Sequence, residues 1–201
     1  MPRTKIYDNI AAYSASFISR IGNRLSGSIH SQVEGESKAL LFGRDFHTAL
    51  LEPHLYTGVN IELRQIIRAI RSNVTVSRIL NHDNVKVEQW HKAWILKRRF
   101  KGIIDVEVDD IGIDFKTTTA KDIDTFIDLF DEYGYWNQAW IYMKLAKLKN
   151  FWFIGIQKKR NPRAFFVNVK DYGHKMARCE KDISERIAWY EKVTGSRLDV
   201  G

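Results

Sequence analysis

The sequence predicts an α/β fold in which a mixed central β-sheet is flanked by helices. Apolar residues follow a helical spacing over residues 38–80, alternate with polar residues over much of 85–118, and form an unbroken run in "FWFIGIQ" at 151–157. These three patterns indicate amphipathic helices, half-buried strands and a central strand covered on both faces.

The helices before the sheet are predicted from their caps and spacing. A hydroxyl cap at Ser14 or Ser16 begins the first, which is expected to end at Gly22. The next segment, "GSIHSQVEGE", is predicted to be a loop. The segment "SKALLFGRDFHTALLEP" is a second helix that stops at Pro53. Residues 60–71 repeat the helical spacing, and a short helix follows them.

The predicted sheet begins near residue 85, where the spacing of apolar residues changes from helical to alternating. "VKVEQW" alternates and "KAWIL" begins two residues after Trp90, so we predict a hairpin with a two-residue turn between them. "FKGIIDVEV" and "IGIDFKT" are the next strands, joined by a turn at "DDIG". Residues 122–133 are predicted to be helical up to Gly134, and "YWNQAWIYMKLAKL" continues as a helix to about Leu148.

The last third of the chain completes the predicted sheet. "FWFIGIQ" and "AFFVNV" are strands, and the final helix shows Met176, Ile183, Ile187 and Tyr190 at helical spacing. The whole is expected to be one domain over residues 1–201, with a helical part over about 1–82 and the sheet with its helices over about 83–201.

Composition limits the class of protein. Hydrophobic residues make up 44% of the 201 positions, which is typical of a globular domain. Lys and Arg outnumber Asp and Glu by 32 to 24, and this excess suits a polyanionic partner. The single Cys179 excludes an internal disulfide framework and a thiolate cluster. The sequence shows no membrane-spanning apolar run and no signal-peptide pattern, so a cytoplasmic location is expected.

Two aspartates and a lysine stand in the predicted hairpin "GIIDVEVDDIGIDFKTTT". Side chains two apart in a strand share a face, so Asp114 and Lys116 point the same way. Counting back from the turn puts Asp105 roughly opposite Asp114. Charges among such apolar neighbours are costly unless they are paired or bind metal. The pattern by itself favours an ion pair of Lys116 with one aspartate, and a metal site is the alternative.

Three further polar residues lie at helical spacing. Gln138 and Tyr142 are four apart and share a helix face, and His47 lies four residues after Gly43 in an apolar helix. Each alone is typical of ordinary packing. The series of four segments, however, matches a known pattern of a helical His, G-x-x-D, D-x-K and Q-x-x-x-Y.

Those segments are His47, "GIID" ending at Asp105, "DFK" from Asp114 to Lys116, and "QAWIY" from Gln138 to Tyr142. The series resembles the PD-(D/E)xK nuclease superfamily in its RecB-like branch. "LLFGRDFHTALLEPHLY" and "EYGYWNQAWIY" are similar to the RecE-type (exonuclease VIII) phage recombination exonuclease domain. The resemblance covers roughly residues 7–192 and implies a restriction-endonuclease-like core. Two departures are that Ile104 replaces the proline of the PD dipeptide, and that the cysteines of the iron–sulfur members are missing.

The resemblance implies a site for one or two divalent cations, Mg²⁺ or Mn²⁺, with no nucleotide and no iron–sulfur cluster. The expected catalytic residues are Asp105, Asp114, Lys116, Gln138 and Tyr142. The expected metal ligands are His47, Asp105, Asp114 and the backbone carbonyl of Phe115. Oxygen ligands suit these hard cations, and an imidazole nitrogen favours Mn²⁺ somewhat. Glu88 is either an extra ligand or a solvated strand residue. Lys116 is expected to have a lowered pKa and to orient or deprotonate water.

Two basic segments are candidates for DNA contact. "KRRFK" contributes Lys97, Arg98, Arg99 and Lys101, and "KKRNPR" contributes Lys158, Lys159, Arg160 and Arg163. Such runs are usually solvated surface, but both adjoin the predicted site segments. Trp90, Trp94 and Trp136 could stack on frayed bases, and Trp140 is expected in the core.

The resulting expectation is an ATP-independent deoxyribonuclease, because no phosphate-cradling G-x-x-x-x-G-K-[ST] loop occurs. The resemblance implies a 5′→3′ exonuclease on double-stranded DNA ends, acting in phage-type recombination in a bacterial or phage-infected cell. It also implies a ring-shaped homo-oligomer and a single-strand annealing protein as partner. The alternatives are a restriction or junction-resolving endonuclease of the same superfamily, and a non-catalytic DNA-binding module.

Overall fold

The computed structural model describes residues 10–25 and 38–198. The predicted loop "GSIHSQVEGE" lies outside these residues. In chain order the elements are α1 Ala15–Leu25, α2 Lys38–Leu51, α3 Ile61–Arg71, α4 Val74–Leu80, β1 Val85–Ile95, β2 Arg98–Val108, β3 Ile111–Thr118, α5 Ile123–Tyr133, α6 Tyr135–Ala146, β4 Asn150–Gln157, β5 Ala164–Asn168 and α7 Gly173–Thr194. A short 3₁₀ turn, Val169–Tyr172, leads into α7.

The five strands form one sheet in the order β1-β2-β3-β4-β5. β1, β2 and β3 make an antiparallel meander, β3 and β4 pair in parallel, and β5 is antiparallel to β4. Because parallel neighbours need a crossover, α5 and α6 span the connection from β3 to β4. The predicted mixed sheet with flanking helices is confirmed.

One face of the sheet is covered by α1, α5, α6 and α7. Their apolar sides meet the sheet around buried aromatic residues, among them Phe100, Phe130, Phe151 and Phe153. Within the final helix, Ile183 and Ile187 are fully or almost fully buried, as the spacing predicted. We call this layer the first core.

The other face is covered by α2, α3 and α4. Phe46 and Leu50 of α2 pack with Leu63 of α3 against Val106 and Phe115 of the sheet. β4, an interior strand, contributes side chains to both cores, which accounts for its unbroken apolar sequence. We call this layer the second core.

The hairpin predicted within residues 85–96 is wrong. β1 runs unbroken through His91 and Lys92, and it turns only at Leu96 and Lys97, whose φ angles are 51° and 57°. Two consecutive positive φ angles make the tight turn that suits a right-twisted hairpin. The turn thus joins β1 to β2, with Ile95 opposite the first residue of β2.

Two helix ends differ from prediction. α1 continues past Gly22 to Leu25, because Gly22 serves close packing: a Cβ there would meet the Arg186 guanidinium. α6 ends at Ala146 rather than Leu148, since Lys147 takes a left-handed conformation with φ 55°. The predicted break at Gly134, φ 71°, is confirmed as the cap of α5.

The alternation of faces reverses once in the β1–β2 pair. Ile104 packs into the first core and Val106 into the second, although they are only two residues apart. The reversal lies where Glu88 stands opposite Asp105, between regularly paired neighbours. Glu88 has φ 51°, a conformation uncommon for a residue other than glycine. The strands are thus irregular at the position of two carboxylates.

Within the described ranges, no helix is both long and apolar enough to cross a bilayer.

Candidate metal centre

The candidate site lies where β2 and β3 separate. Their recorded pairing runs from Val108 opposite Ile111 to Val106 opposite Ile113 and goes no further. Beyond it, the Asp105 carboxylate accepts a hydrogen bond from the backbone N–H of Phe115, with Oδ2 2.8 Å from the nitrogen. A side chain therefore replaces the next backbone partner, and this opens the edge of β3. The C=O and N–H of an extended residue face the same neighbour, so the Phe115 carbonyl faces this gap too.

Three side chains at the gap can hold a metal ion. His47 from α2, Glu88 from β1 and Asp105 from β2 offer ligand atoms that all lie within 4.8 Å of one another. His47 Nδ1 is 3.3 Å from Asp105 Oδ2. One imidazole nitrogen and two carboxylate oxygens fit Mn²⁺ or Mg²⁺, which accept such donors. Glu88, for which the sequence left a ligand and a solvated strand residue equally open, thus lies beside the other two candidate ligands.

The second aspartate has different partners. Asp114 Oδ1 is 2.5 Å from Lys116 Nζ, and Asp114 Oδ2 accepts a hydrogen bond of 2.7 Å from Gln138 Nε2 of α6. Asp114 is therefore held from the α6 side of the sheet, while Asp105 is held by His47 from the α2 side. The ion pair of Lys116 with Asp114 therefore lies beside a separate group of side chains that could hold a metal ion.

The charges of His47 and Asp105 stabilise each other. Burial by itself would lower the pKa of His47, but the Asp105 carboxylate outweighs burial and raises that pKa to about 9. Burial would raise the pKa of Asp105, but the charge of His47, followed by Lys116, lowers it. A cation that takes the imidazole nitrogen must therefore displace a proton.

Burial prevails over the nearby opposite charge at Asp114 but not at Lys116. Burial, followed by the charge of Asp105, raises the pKa of Asp114 to about 6, against the attraction of Lys116. Burial acts to lower the pKa of Lys116, but the Asp114 carboxylate outweighs it and the pKa is raised. The lowered pKa expected for Lys116 is wrong in the metal-free protein, where the side chain is an ammonium.

Tyr135 is a neighbour of the site that sequence reasoning missed. Lys116 Nζ lies 5.0 Å from the centre of the Tyr135 ring and 5.9 Å from that of Phe153. Cations over aromatic faces at such distances attract the ring. The signal in the sequence was that Tyr135 precedes Gln138 by three residues and so shares its side of α6.

Gln138 and Tyr142 share a face of α6, as their spacing predicted, and this face is directed toward the sheet. Gln138 reaches Asp114 of β3. Tyr142 lies one turn further along α6, over Gly102 of β2, where an added Cβ would come within 2.7 Å of the ring. Its ring also contacts Phe151, at 5.9 Å between centroids. Gly102 therefore permits the close approach of α6 to β2.

The first basic segment differs from expectation. Arg98 makes two contacts of 2.7 Å with the Glu191 carboxylate of α7, and Lys101 is buried. Lys97 and Arg98 lie at the β1–β2 turn, seven or more residues before Asp105, so these two cations do not adjoin His47, Glu88 and Asp105. Arg99 lies over the ring of Trp94, at 5.7 Å.

The second basic segment lies nearer the site. It follows β4, whose carboxyl end lies beside that of β3 because the two strands are parallel. Lys158 Nζ is 5.4 Å from the Phe42 ring, on the helix that carries His47. Lys159, Arg160 and Arg163 are exposed.

The tryptophans divide into two classes. Trp90 and Trp94 are 40% and 63% exposed, whereas Trp136 and Trp140 are buried. The expected core position of Trp140 is confirmed. The suggestion that Trp136 stacks on bases is wrong, because its ring packs between Phe130 and Tyr172.

No protein-family model and no curated sequence matches this chain. Solved structures do match. The chain aligns over its full length with 89% of a "Putative exonuclease" from Eubacterium rectale, at TM-score 0.70 and 14% identity. Two looser likenesses are a phage-related exonuclease from Haemophilus somnus and an alkaline exonuclease from Laribacter hongkongensis. The first covers 97% of this chain and 90% of the other, at TM-score 0.45 and 12% identity. The second covers 94% and 95%, at TM-score 0.43 and 13% identity.

The likeness to the Eubacterium rectale structure extends over every element described above. This chain therefore shares its fold, a mixed β-sheet between two layers of helices, with that structure.

Proposed function

We propose that this chain is a metal-dependent deoxyribonuclease of the PD-(D/E)xK type that degrades linear double-stranded DNA from its ends. One observation carries the proposal. His47, Glu88 and Asp105 converge at the gap between β2 and β3, and the Lys116–Asp114–Gln138 chain adjoins them. Candidate metal ligands beside a lysine suit phosphodiester hydrolysis, which needs an activated water and positive charge at the phosphate.

Hydrolysis forms a bond from a water oxygen to phosphorus and breaks the bond to the leaving sugar oxygen. A divalent cation held by His47, Glu88 and Asp105 would supply positive charge at the phosphate and favour ionisation of water. The Phe115 carbonyl faces the same gap, and we propose that it and Asp114 complete the ligand set when a metal ion binds.

Lys116 is proposed to orient the reacting water or a phosphate oxygen. Its ammonium is a hydrogen-bond donor at a site 19% exposed, where charge is poorly screened. Gln138 fixes the Asp114 carboxylate, which in turn holds Lys116, and Tyr135 supports the ammonium from the ring side. Gln138 is thus a positioning residue, and we propose the same for Tyr142 above Gly102.

The finer properties rest on the resemblance and are proposals. They are 5′→3′ polarity, a ring-shaped homo-oligomer, and a single-strand annealing protein as partner. Mn²⁺ is proposed to serve at least as well as Mg²⁺ because one ligand is an imidazole nitrogen. Lys158, Lys159, Arg160 and Arg163 are proposed to contact the DNA backbone near the site, where they add to its positive field.

The test is degradation of linear duplex labelled at the 5′ or the 3′ end, with Mg²⁺ or Mn²⁺ and without ATP. We expect shortening from ends that EDTA stops, and no loss of a covalently closed plasmid. Nicking of closed circles at the rate of linear degradation would assign an endonuclease. Binding without any cleavage in either metal would assign a DNA-binding module.

A further inference from the structure

The distal part of the β1–β2 hairpin has two unlike faces. Cross-strand partners share a face, so the register sorts its residues. One face carries Ala93, Ile95, Phe100 and Ile104 and packs into the first core. The other face carries Trp90, Lys92 and Trp94 of β1, opposite Ile103, Lys101 and Arg99 of β2. No acidic residue stands among these six.

The two tryptophans on this face are held open to solvent. Trp90 is 40% exposed and Trp94 is 63% exposed, which is unusual for the largest apolar side chain. Lys92 Nζ lies 5.5 Å from the Trp90 ring, and Arg99 Cζ lies 5.7 Å from the Trp94 ring. Each ring is thus paired with a cation, and its remaining surface can meet a ligand.

This face leads to the metal group. Because the strands reverse their faces at Glu88, the side that carries Trp90 is the side on which α2 presents His47. Trp90 follows Glu88 by two residues and Trp94 by six, so they lie ~7 Å and ~20 Å along the strand from it. A polymer lying on this face would contact Trp94, Lys92 and Trp90 in succession. It would then reach the group of His47, Glu88 and Asp105.

We propose that Trp90, Lys92 and Trp94, with Arg99, form a stacking track for single-stranded DNA that continues into the metal centre. Open indole rings stack on any base, and interleaved cations meet phosphates, so the combination suits a sequence-tolerant single strand. Paired bases do not expose their faces, so a duplex would gain only the charge contacts. The track rests on the proposed nuclease function for its purpose, which is to hold the separated strand at the site.

The test measures binding without chemistry. In EDTA, the full chain is titrated into a fluorescein-labelled oligothymidylate and into a blunt duplex of equal length, and anisotropy is recorded. Trp90→Ala and Trp94→Ala should each weaken single-strand binding by roughly 5- to 100-fold and duplex binding much less. Lys92→Gln should lower the log–log salt slope by ~0.7 on the single strand. Lys181→Gln, at an exposed lysine on α7, is the matched control.

Two further variants separate stacking from simple apolar contact. Trp94→Phe keeps an aromatic face and should retain most of the affinity, whereas Trp94→Leu should bind as weakly as Trp94→Ala. Equal binding by the phenylalanine and leucine variants would overturn the track. A change of native mass in the tryptophan variants without loss of DNA affinity would also overturn the track. The face would then be an interface between copies of this chain.

The same proteins distinguish failure of the track from failure of the nuclease. Single-strand binding that depends on both rings, in a chain that cleaves nothing with Mg²⁺ or Mn²⁺, supports the track and refutes the nuclease. Single-strand binding unchanged in both alanine variants overturns the track, whether or not linear duplex is degraded.

Discussion

Asp114→Asn should stabilise the metal-free protein and abolish cleavage. Burial and the charge of Asp105 raise the pKa of Asp114 from 3.8 to about 6 in the folded state. A carboxyl whose pKa is raised on folding contributes stability below its unfolded pKa and loses that contribution as pH rises through the folded pKa. At about pH 7.5, therefore, the ionised Asp114 opposes folding.

The size of the effect follows from the shift. A change from 3.8 to about 6 corresponds to about 3 kcal/mol, at ~1.4 kcal/mol per pKa unit. In a chain of this length that is roughly 6–12 °C in Tm. Asparagine keeps the shape and can still accept the hydrogen bond of Gln138. The gain of about 3 kcal/mol in unfolding free energy is an upper bound, because Lys116 loses its counter-ion in this variant. Without that carboxylate, burial lowers the pKa of Lys116.

The assay is thermal melting in EDTA at about pH 7.5 and about pH 5. Tm of the variant should exceed that of the wild type at the higher pH, and the difference should shrink at the lower pH, where Asp114 itself is largely protonated. Asp128→Asn, at an exposed position on α5, controls for loss of a negative charge. End degradation should fall by several orders of magnitude while duplex DNA still binds. A drop in Tm at about pH 7.5 equivalent to ~3–5 kcal/mol would mean that the buried pair stabilises the fold, and would refute the reasoning.

Four other outcomes are expected. Lys116→Ala should lower single-turnover cleavage by ~10²-fold or more without moving the Mn²⁺ midpoint of a thermal-shift titration, whereas Lys149→Ala, at an exposed lysine, should change neither. The pKa of His47 is raised to about 9, so protonated His47 stabilises the metal-free fold fully below about pH 6.5, and this stabilisation is lost as the pH rises through 9. The affinity for Mn²⁺ should rise over the same pH range, because the cation must displace the His47 proton. In calorimetry, His47→Gln should flatten that rise in affinity. Neutralising the three cations at 158–160 should reduce the salt slope of duplex binding by ~0.9 for each phosphate that the protein no longer neutralises, and an unchanged slope would leave them as solubilising charges. Tyr135→Phe should cleave normally and Tyr135→Leu should cleave more slowly, because the ring face supports Lys116; equal rates would remove that role.

Much of the fold could be predicted because its periodicities are local. The apolar run of β4, the cap at Gly134 and the helical spacing of α7 each follow from their own residues. The hairpin within residues 85–96 could not be placed correctly from alternation. Its real turn depends on positive φ at Leu96 and Lys97, and neither residue is one that usually marks such a turn.

The residue types of the candidate site could be predicted from the sequence. The contacts between those side chains could be predicted only in part. The spacing of Asp114 and Lys116 gave their common face, and the turn gave Asp105 as a neighbour. The proposed ligand role of Glu88 depends on the reversal of faces at its own positive φ, which no pattern in the sequence signals. The raised pKa of Lys116 depends on a contact with Asp114 that competes with burial, and only coordinates decide which effect prevails.

The parallel pairing of β3 with β4 has a consequence for the order in which the molecule assembles. β1, β2 and β3 are joined by tight turns, so their contacts are close in sequence and should form early in folding. The β3–β4 contacts must wait until α5 and α6 are in place, because distant segments close slowly. Glu88 and Asp105 therefore come together on an early meander, while Gln138 and Tyr135 reach Asp114 and Lys116 only with the late crossover. A chain interrupted before β4 would carry part of the metal group without the side chains that hold its lysine, so cleavage should appear only once the sheet is complete.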